Sequence, residues 1–292
     1  MINSDIRQRF VFDGIDARGC IVRLSETCES IQATHHYPAN LASLLNQFSL
    51  AATLLRDSIK IDGSLTIQLR TDGPIKLIMA DCLSDRRVRA IAEYDSEQLP
   101  PANDQIALDG LGNGATLAIT ISPDQGERYQ SIVPIENASL SDCLEDYFQR
   151  SEQLPSLFRL TADHHQAVGI SVHALPQDKV KDKSASQEHF TRLKSLLNTL
   201  SAEEAFSLSA EQTLTRLFHD ESCRLFDSEP VQFGCICSDE KSLDAVKSLG
   251  KDDVQKLINE QQEQGNSSLV VDCHFCFQRY EFSYEQVNGL FS

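Results

Sequence analysis

The sequence predicts an α+β protein in three parts: an antiparallel-sheet core domain over residues 1–178, a helical linker over 179–230, and a small C-terminal cysteine-bearing domain over 231–292. Three observations predict it. Alternating apolar residues joined by turn signals recur through the first part, helix-spaced apolar stripes follow Pro176, and two close cysteine pairs bracket the end of the chain. Within the first part, Asn40 to Ile59 is the clearest helix, with Leu41, Leu44, Leu45, Phe48, Leu55 and Ile59 on one face. Leu65, Ile67 and Leu69 then alternate with polar residues, Asp72-Gly73-Pro74 marks a turn, and Ile75, Leu77 and Met79 resume the alternation, which reads as an antiparallel hairpin. Thr116–Ser122 and Tyr129–Ile135 flank a second turn at Pro123-Asp124-Gln125-Gly126, and Val168–Leu175 reads as a last buried strand. Hairpins between neighbouring strands favour an antiparallel α+β fold over a doubly wound parallel sheet.

Beyond Pro176, the Lys/Asp/Ser stretch Gln177–Gln187 suits an exposed linker. Phe190, Leu193, Leu196, Leu197 and Leu200 form one amphipathic helical stripe; Leu214, Leu217, Phe218 and Leu225 form a second, interrupted by Glu221, and Pro230 closes the region. Each stripe needs a partner surface, so this pair of helices is an element able to dock or be released. In the last part, Leu243, Val246 and Leu249, then Asp252-Asp253 ahead of Val254, Leu257 and Ile258, predict two short helices, with Asn259–Ser268 as a polar loop.

Composition bounds the function. A chain of 292 residues with 26 basic and 43 acidic side chains has a net charge of −17, which argues against nucleic-acid binding and against anionic membranes. No run approaches the ~18 apolar residues of a membrane span. Met1–Asp13 lacks the continuous apolar core of a secretory signal, so a cytoplasmic location is expected, where thiols stay reduced. The nine cysteines therefore point to metal or redox chemistry. Cys235-Ile236-Cys237 and Cys273-His274-Phe275-Cys276, separated by 35 residues, offer four soft thiolates, the number and type a closed tetrahedral zinc site takes. The single residue between Cys235 and Cys237 also leaves them close enough to bond each other on oxidation. Zinc holds such sulfurs as thiolates, the form that peroxide attacks. Because zinc contributes roughly 10 to 16 kcal/mol to the folding of small modules, oxidation of this one should unfold it. His274 lies between two ligands and in principle could replace one to give Cys3His coordination, but side chains inside a CxxC turn tend to point away from the metal and all four thiols are available. Cys20, Cys28, Cys82, Cys143 and Cys223 read as buried or incidental, Cys223 falling in the second predicted linker helix. The His35-His36 and His164-His165 pairs read as surface or locally satisfied residues, Asp109–Gly114 as a turn, and no GxxxxGK[ST] phosphate loop is present.

Along nearly its whole length the sequence resembles the redox-regulated 33 kDa heat-shock chaperonin family. The likeness is carried by the CxC and CxxC pairs, by Tyr280 and Phe282 behind them, and by Leu217-Phe218-His219-Asp220 leading to Pro230-Val231. Gly63-Ser64-Leu65-Thr66-Ile67-Gln68 with Asp72-Gly73-Pro74, and Tyr147-Phe148 with Ser151-Glu152-Gln153, belong to it too. The resemblance implies one zinc ion on Cys235, Cys237, Cys273 and Cys276, and on oxidation the disulfides Cys235–Cys237 and Cys273–Cys276. It further implies an ATP-independent holdase, not an enzyme, that takes unfolded proteins as clients and is typically a homodimer when active. Two positions depart from the family. The 35-residue spacer is long, with Asn259–Ser268 the natural place for the extra residues, and Phe277 stands where Gly or Asn is usual, which would strain it if the turn needs φ > 0. A constitutive zinc-ribbon interaction module and a thiol enzyme are the competing classes; a closed four-cysteine site leaves no open metal position for a substrate.

Overall fold

Alternation of apolar and polar residues builds the first unit of the chain from two sheets, described here from a computed structural model covering residues 5–59, 62–112, 114–175 and 183–291. In order the elements are β1 (Ile6–Phe12), β2 (Ala17–Leu24), α1 (Glu26–His35), α2 (Ala39–Ser58), β3 (Gly63–Arg70), β4 (Ile75–Cys82), β5 (Arg87–Tyr94), β6 (Thr116–Pro123) and β7 (Tyr129–Val133). There follow α3 (Leu140–Tyr147), β8 (Ser156–Ala162), β9 (Ala167–Ala174), α4 (Lys183–Asn198), α5 (Ala202–Ser207), α6 (Ala210–Phe218), β10 (Cys223–Leu225), β11 (Glu229–Pro230) and β12 (Gln232–Phe233). One sheet has the order β10-β1-β2-β9-β8, with β11 also on β1; the other runs β12-β5-β4-β3-β6-β7. The fold is mixed α+β, and its sheets are antiparallel except for the short β12–β5 pairing. Both predicted hairpins form, Leu65 facing Cys82 and Ile121 facing Tyr129 across them.

The 20-residue helix α2 is buried around most of its circumference because it lies between the two sheets. Its buried hydroxyls are satisfied locally, Ser49 donating to the Leu45 carbonyl at 3.1 Å and Thr53 to that of Ser49 at 2.8 Å. Strand β9 is buried along nearly its whole length for the same reason, with helices on both sides of its sheet.

The far face of that sheet carries Phe10, Phe12, Ile21, Leu157, Ile170 and Val172, and α4 to α6 lie on it. Leu193, Leu197, Leu200, Leu214, Leu217 and Phe218, the predicted stripes, are buried there. Phe10, Phe12 and Phe218 form an aromatic cluster with centroids 5.2 to 6.2 Å apart. Polar latches reinforce it: Arg23 donates to the carbonyls of Ala205, Phe206 and Leu208 at 2.7–3.0 Å, and Arg159 to that of Leu200 at 2.9 Å.

The second predicted stripe needs correction. Leu214, Leu217 and Phe218 lie on α6 alone, and a further short helix, α5, precedes it; the two are separate because Ser201 and Ser209 each make a capping box with the residue three positions on. Leu225 is not helical: the chain turns after Phe218, and Cys223–Leu225 adds to the free edge of β1, placing Leu225 opposite Phe10 and Cys223 opposite Phe12. Pro230 likewise lies in strand β11 on β1. Of the expected exposed linker Gln177–Gln187, residues up to 182 lie outside the described residues, and the chain is helical from Lys183.

The chain divides into compact units at Gly234/Cys235. The second unit holds α7 (Asp239–Ser248), α8 (Lys251–Glu263), the hairpin β13 (Leu269–Asp272) and β14 (Arg279–Phe282), and α9 (Tyr284–Gly289). Its core is small: Val246, Val254, Ile258, Leu269, Phe282 and Val287. The loop expected over Asn259–Ser268 is helical as far as Glu263, since nothing in Asn259–Glu263 breaks a helix and Gly265, at φ 87°, does. The long spacer is thus mostly helix. Gln261 on α8 accepts from the Val270 N–H at 2.8 Å and donates to its carbonyl at 3.0 Å, tying the helix to β13.

Candidate metal centre

Two pieces of backbone bring the four cysteines of the CxC and CxxC pairs together. Cys235 and Cys237 lie on the segment without regular structure that follows β12, whereas Cys273 and Cys276 sit at the turn of the β13–β14 hairpin. That turn is closed by the Cys273 N–H on the Gln278 carbonyl at 3.0 Å and the Phe277 N–H on the Cys273 carbonyl at 2.8 Å. Its base is held by Arg279, which grips Asp272 across the hairpin with two hydrogen bonds of 2.9 and 3.1 Å. Phe277 adopts φ 54° and is half exposed, so the turn does need the left-handed conformation that the usual glycine or asparagine supplies.

All four sulfurs lie within 4.8 Å of one another, Cys235 to Cys273 at 3.6 Å and Cys237 to Cys276 at 3.5 Å. These distances are far beyond a disulfide of about 2.05 Å and close to the edge, about 3.8 Å, of a tetrahedron with metal–sulfur bonds of about 2.3 Å. The thiols are free. A cation fits this donor set on electrostatic grounds as well. Burial, and after it the neighbouring sulfurs, push the Cys276 thiol up, so four sulfurs this close share thiolate charge only around a positive ion. Backbone N–H groups of Cys276 and Phe275 act on Cys273, and that of Gln278 on Cys276, in the direction that favours thiolate. Thiolate sulfurs select zinc among the common divalent ions.

His274 is not among the clustered ligands. Tyr280 is a member that spacing alone gives no role: on β14, opposite Val271, its phenol hydrogen-bonds with Cys237, which raises the phenol's pKa. Only the hairpin register, carrying Tyr280 back towards the knuckle, reveals it. The remaining cysteines are apart from the cluster. Cys20, Cys28, Cys82 and Cys143 are buried and Cys223 is half-buried. Burial pushes Cys20 and Cys82 up to about 12 and Cys223 up to about 11, so these thiols stay protonated and unreactive. His35 stacks on Tyr37, His36 caps α1 in a left-handed conformation, and the exposed His164 and His165 pack on each other. Among the described residues no helix is long and apolar enough to cross a membrane.

Comparison with known proteins agrees along the whole chain. Residues 5–283 match the family model described as Hsp33 protein. The 33 kDa chaperonin of Azotobacter vinelandii is 42% identical over 292 residues, covering 100% of this chain and 96% of its own length. That of Pseudomonas aeruginosa strain UCBPP-PA14 is 40% identical with the same coverage. In three dimensions the fold is that of a Thermotoga maritima 33 kDa chaperonin crystal structure, with a TM-score of 0.79 at 22% identity over 99% of this chain and 97% of that one.

Proposed function

From the premise that the chain belongs to the Hsp33 protein family, we propose that it is a chaperone of the 33 kDa chaperonin type whose holding activity is switched by oxidation. The observation that carries the reading is the four-sulfur cluster in a unit whose own apolar core is six buried residues. In the reduced protein Cys235, Cys237, Cys273 and Cys276 hold one zinc ion. The bound ion supplies charge neutralisation for four thiolates and the crosslink that the small core does not.

Oxidation acts on the cysteines themselves. Each thiolate pair gives two electrons to one peroxide molecule, which takes up two protons from solvent, so that one S–S bond forms, the O–O bond breaks and two water molecules leave. The bonds formed are Cys235–Cys237 and Cys273–Cys276, the pairing implied by the family likeness. Sulfurs committed to disulfides are poor ligands, so the second unit loses its crosslink and unfolds. The coupled step is release of α4 to α6 from the sheet, which uncovers Phe10, Phe12 and the apolar faces of the helices. Partly unfolded proteins bind that surface without ATP, and the active form is a homodimer in the cytoplasm. On this reading residues 179–230 are a releasable linker between the core and the zinc domain.

The test is light scattering from a heat-unfolding client protein, with this chain either reduced and zinc-loaded or treated with peroxide at elevated temperature. Suppression of aggregation by the oxidised form alone is expected. Equal suppression by both forms would leave a constitutive holdase with structural zinc, and none by either would favour a zinc-ribbon interaction module. Peptide mapping of the oxidised chain reads the disulfide pairing.

A further inference from the structure

A cavity of about 620 Å³ opens in the first unit between β1, β2 and the end of α2. Its wall carries five guanidinium groups, Arg7, Arg9, Arg18, Arg56 and Arg86, against two carboxylates, Asp57 and Asp62. Such a surplus is out of keeping with a chain of net charge −17. Strand register creates part of it, because Arg7 and Arg9 alternate along β1 and Arg18 sits opposite Val11 on β2, all on one face.

Internal pairing leaves this charge unspent. Asp57 serves both Arg7 and Arg9, and Glu229 behind the wall serves Arg7 and Arg86 at 2.7 Å each. Arg56 donates to the Gly63 carbonyl at 2.8 Å and has no carboxylate. The Arg18 side chain makes no ion pair or hydrogen bond among the described residues. Nε of Arg7, on a side chain only 8% exposed, is buried without a hydrogen-bond partner, and so is Nε of Arg86. Buried donors left open and like charges held together are both costly to a fold, and both are relieved by a multiply charged anion.

We infer that this cavity binds an oligophosphate, the di- or triphosphate group of a small molecule. Several guanidinium forks around one recess match several phosphoryl oxygens, where a single carboxylate would meet only one fork. The volume is that of a small-ligand site. A long polynucleotide would need a basic surface beyond the recess, which the acidic balance of the chain opposes. The site is built to bind and not to react: Cys20 and Cys82 line it, but burial keeps both protonated. Phe226, 47% exposed at the rim with the Arg224 guanidinium 5.8 Å from its ring, offers a face on which a base would stack.

Titration calorimetry on the reduced, zinc-loaded full chain with inorganic pyrophosphate, tripolyphosphate and ADP tests the inference. One site per chain is expected. Arg18→Ala should weaken binding about tenfold or more, and Asp62→Asn, which removes negative charge from the wall, should tighten it. Because the two variants move affinity in opposite directions, a merely damaged fold does not imitate the result; Arg18→Gln, which keeps the stem, should behave as Arg18→Ala. Tighter binding of ADP than of pyrophosphate, lost in Phe226→Ala, would identify a nucleotide, and equal affinities an inorganic anion; either supports the site. No stoichiometric binding of any of the three probes, unchanged affinity in Arg18→Ala, or binding of long RNA alone would overturn it.

Discussion

Single side chains tune the cysteine cluster and the sheet beneath the helices. The Tyr280 phenol is hydrogen-bonded with Cys237, and removing an outer contact of this kind from a metal-binding thiol typically weakens metal binding about 10- to 100-fold. Tyr280→Phe should therefore lose zinc to a chelator at lower chelator concentration than the parent, read by competition with a metallochromic dye; an unchanged competition curve would mean that the phenol has no part in holding the site. Phe277 shows what the sequence does and does not disclose at this scale. Its departure from the family's usual Gly or Asn is visible in the chain, but only the turn's φ of 54° makes it a strain. His173 is a second case. It is buried opposite Arg18 on β2, with Nδ1 2.8 Å from the Ser156 hydroxyl, and burial, then Arg18, lowers its pKa to about 4. The unfolded chain then binds the proton more readily than the folded one. Stability from keeping this ring neutral is present above the unfolded value of about 6.5 and is lost as pH falls towards about 4. At about 1.4 kcal/mol per unit the loss is up to about 3 kcal/mol. Denaturant midpoints measured from pH 7 to pH 4 should fall, and His173→Asn should flatten the slope.

At the scale of elements, the alternation in β3, β4, β6 and β7 and the stripe of α2 were legible because a strand or helix facing a core writes its own period into the sequence. Short edge additions write none. Cys223–Leu225, Glu229–Pro230 and Gln232–Phe233 are too brief for a pattern and are strands only because β1 and β5 present open edges to them. The end of α8 departs from the expected loop for a related reason: Asn259–Glu263 is polar, but polarity there marks an exposed helix tied down by Gln261. The cysteine pairs were legible as a cluster because ligand chemistry restricts residue type, whereas Arg23 gave no signal at all. Buried on β2, it holds three carbonyls at the junction of α5 and α6, the only fixed charge reaching those groups among the described residues. Arg23→Met keeps the apolar stem and leaves the carbonyls unpaired, a cost of about 2 to 3 kcal/mol. Faster amide exchange in α5 and α6 than in α2 is the expected outcome, with binding of an apolar dye in the reduced state. Exchange unchanged from the parent would show that the aromatic cluster alone holds the helices.

Over the whole molecule, stability is unevenly distributed, and that unevenness is what a redox switch requires. The first unit rests on two packed sheets with α2 between them and helices on the far face, so its apolar core is large enough to persist unaided. The second unit has six buried apolar side chains and a two-stranded sheet, and a two-stranded hairpin is marginal in water. Its fold should therefore depend on zinc, with roughly 10 to 16 kcal/mol of metal binding available to a site of this kind. Treating the reduced chain with a strong chelator should abolish amide protection in α7, α8 and the β13–β14 hairpin while protection in α2, β3 and β9 stays as it was. The same pattern should follow peroxide, and readdition of zinc should reverse the first treatment at once but the second only after a reductant is supplied, because sulfur in a disulfide has no thiolate to offer. If the second unit kept its protection without metal, its core would be self-sufficient, and oxidation of Cys235, Cys237, Cys273 and Cys276 would have no unfolding step through which to act.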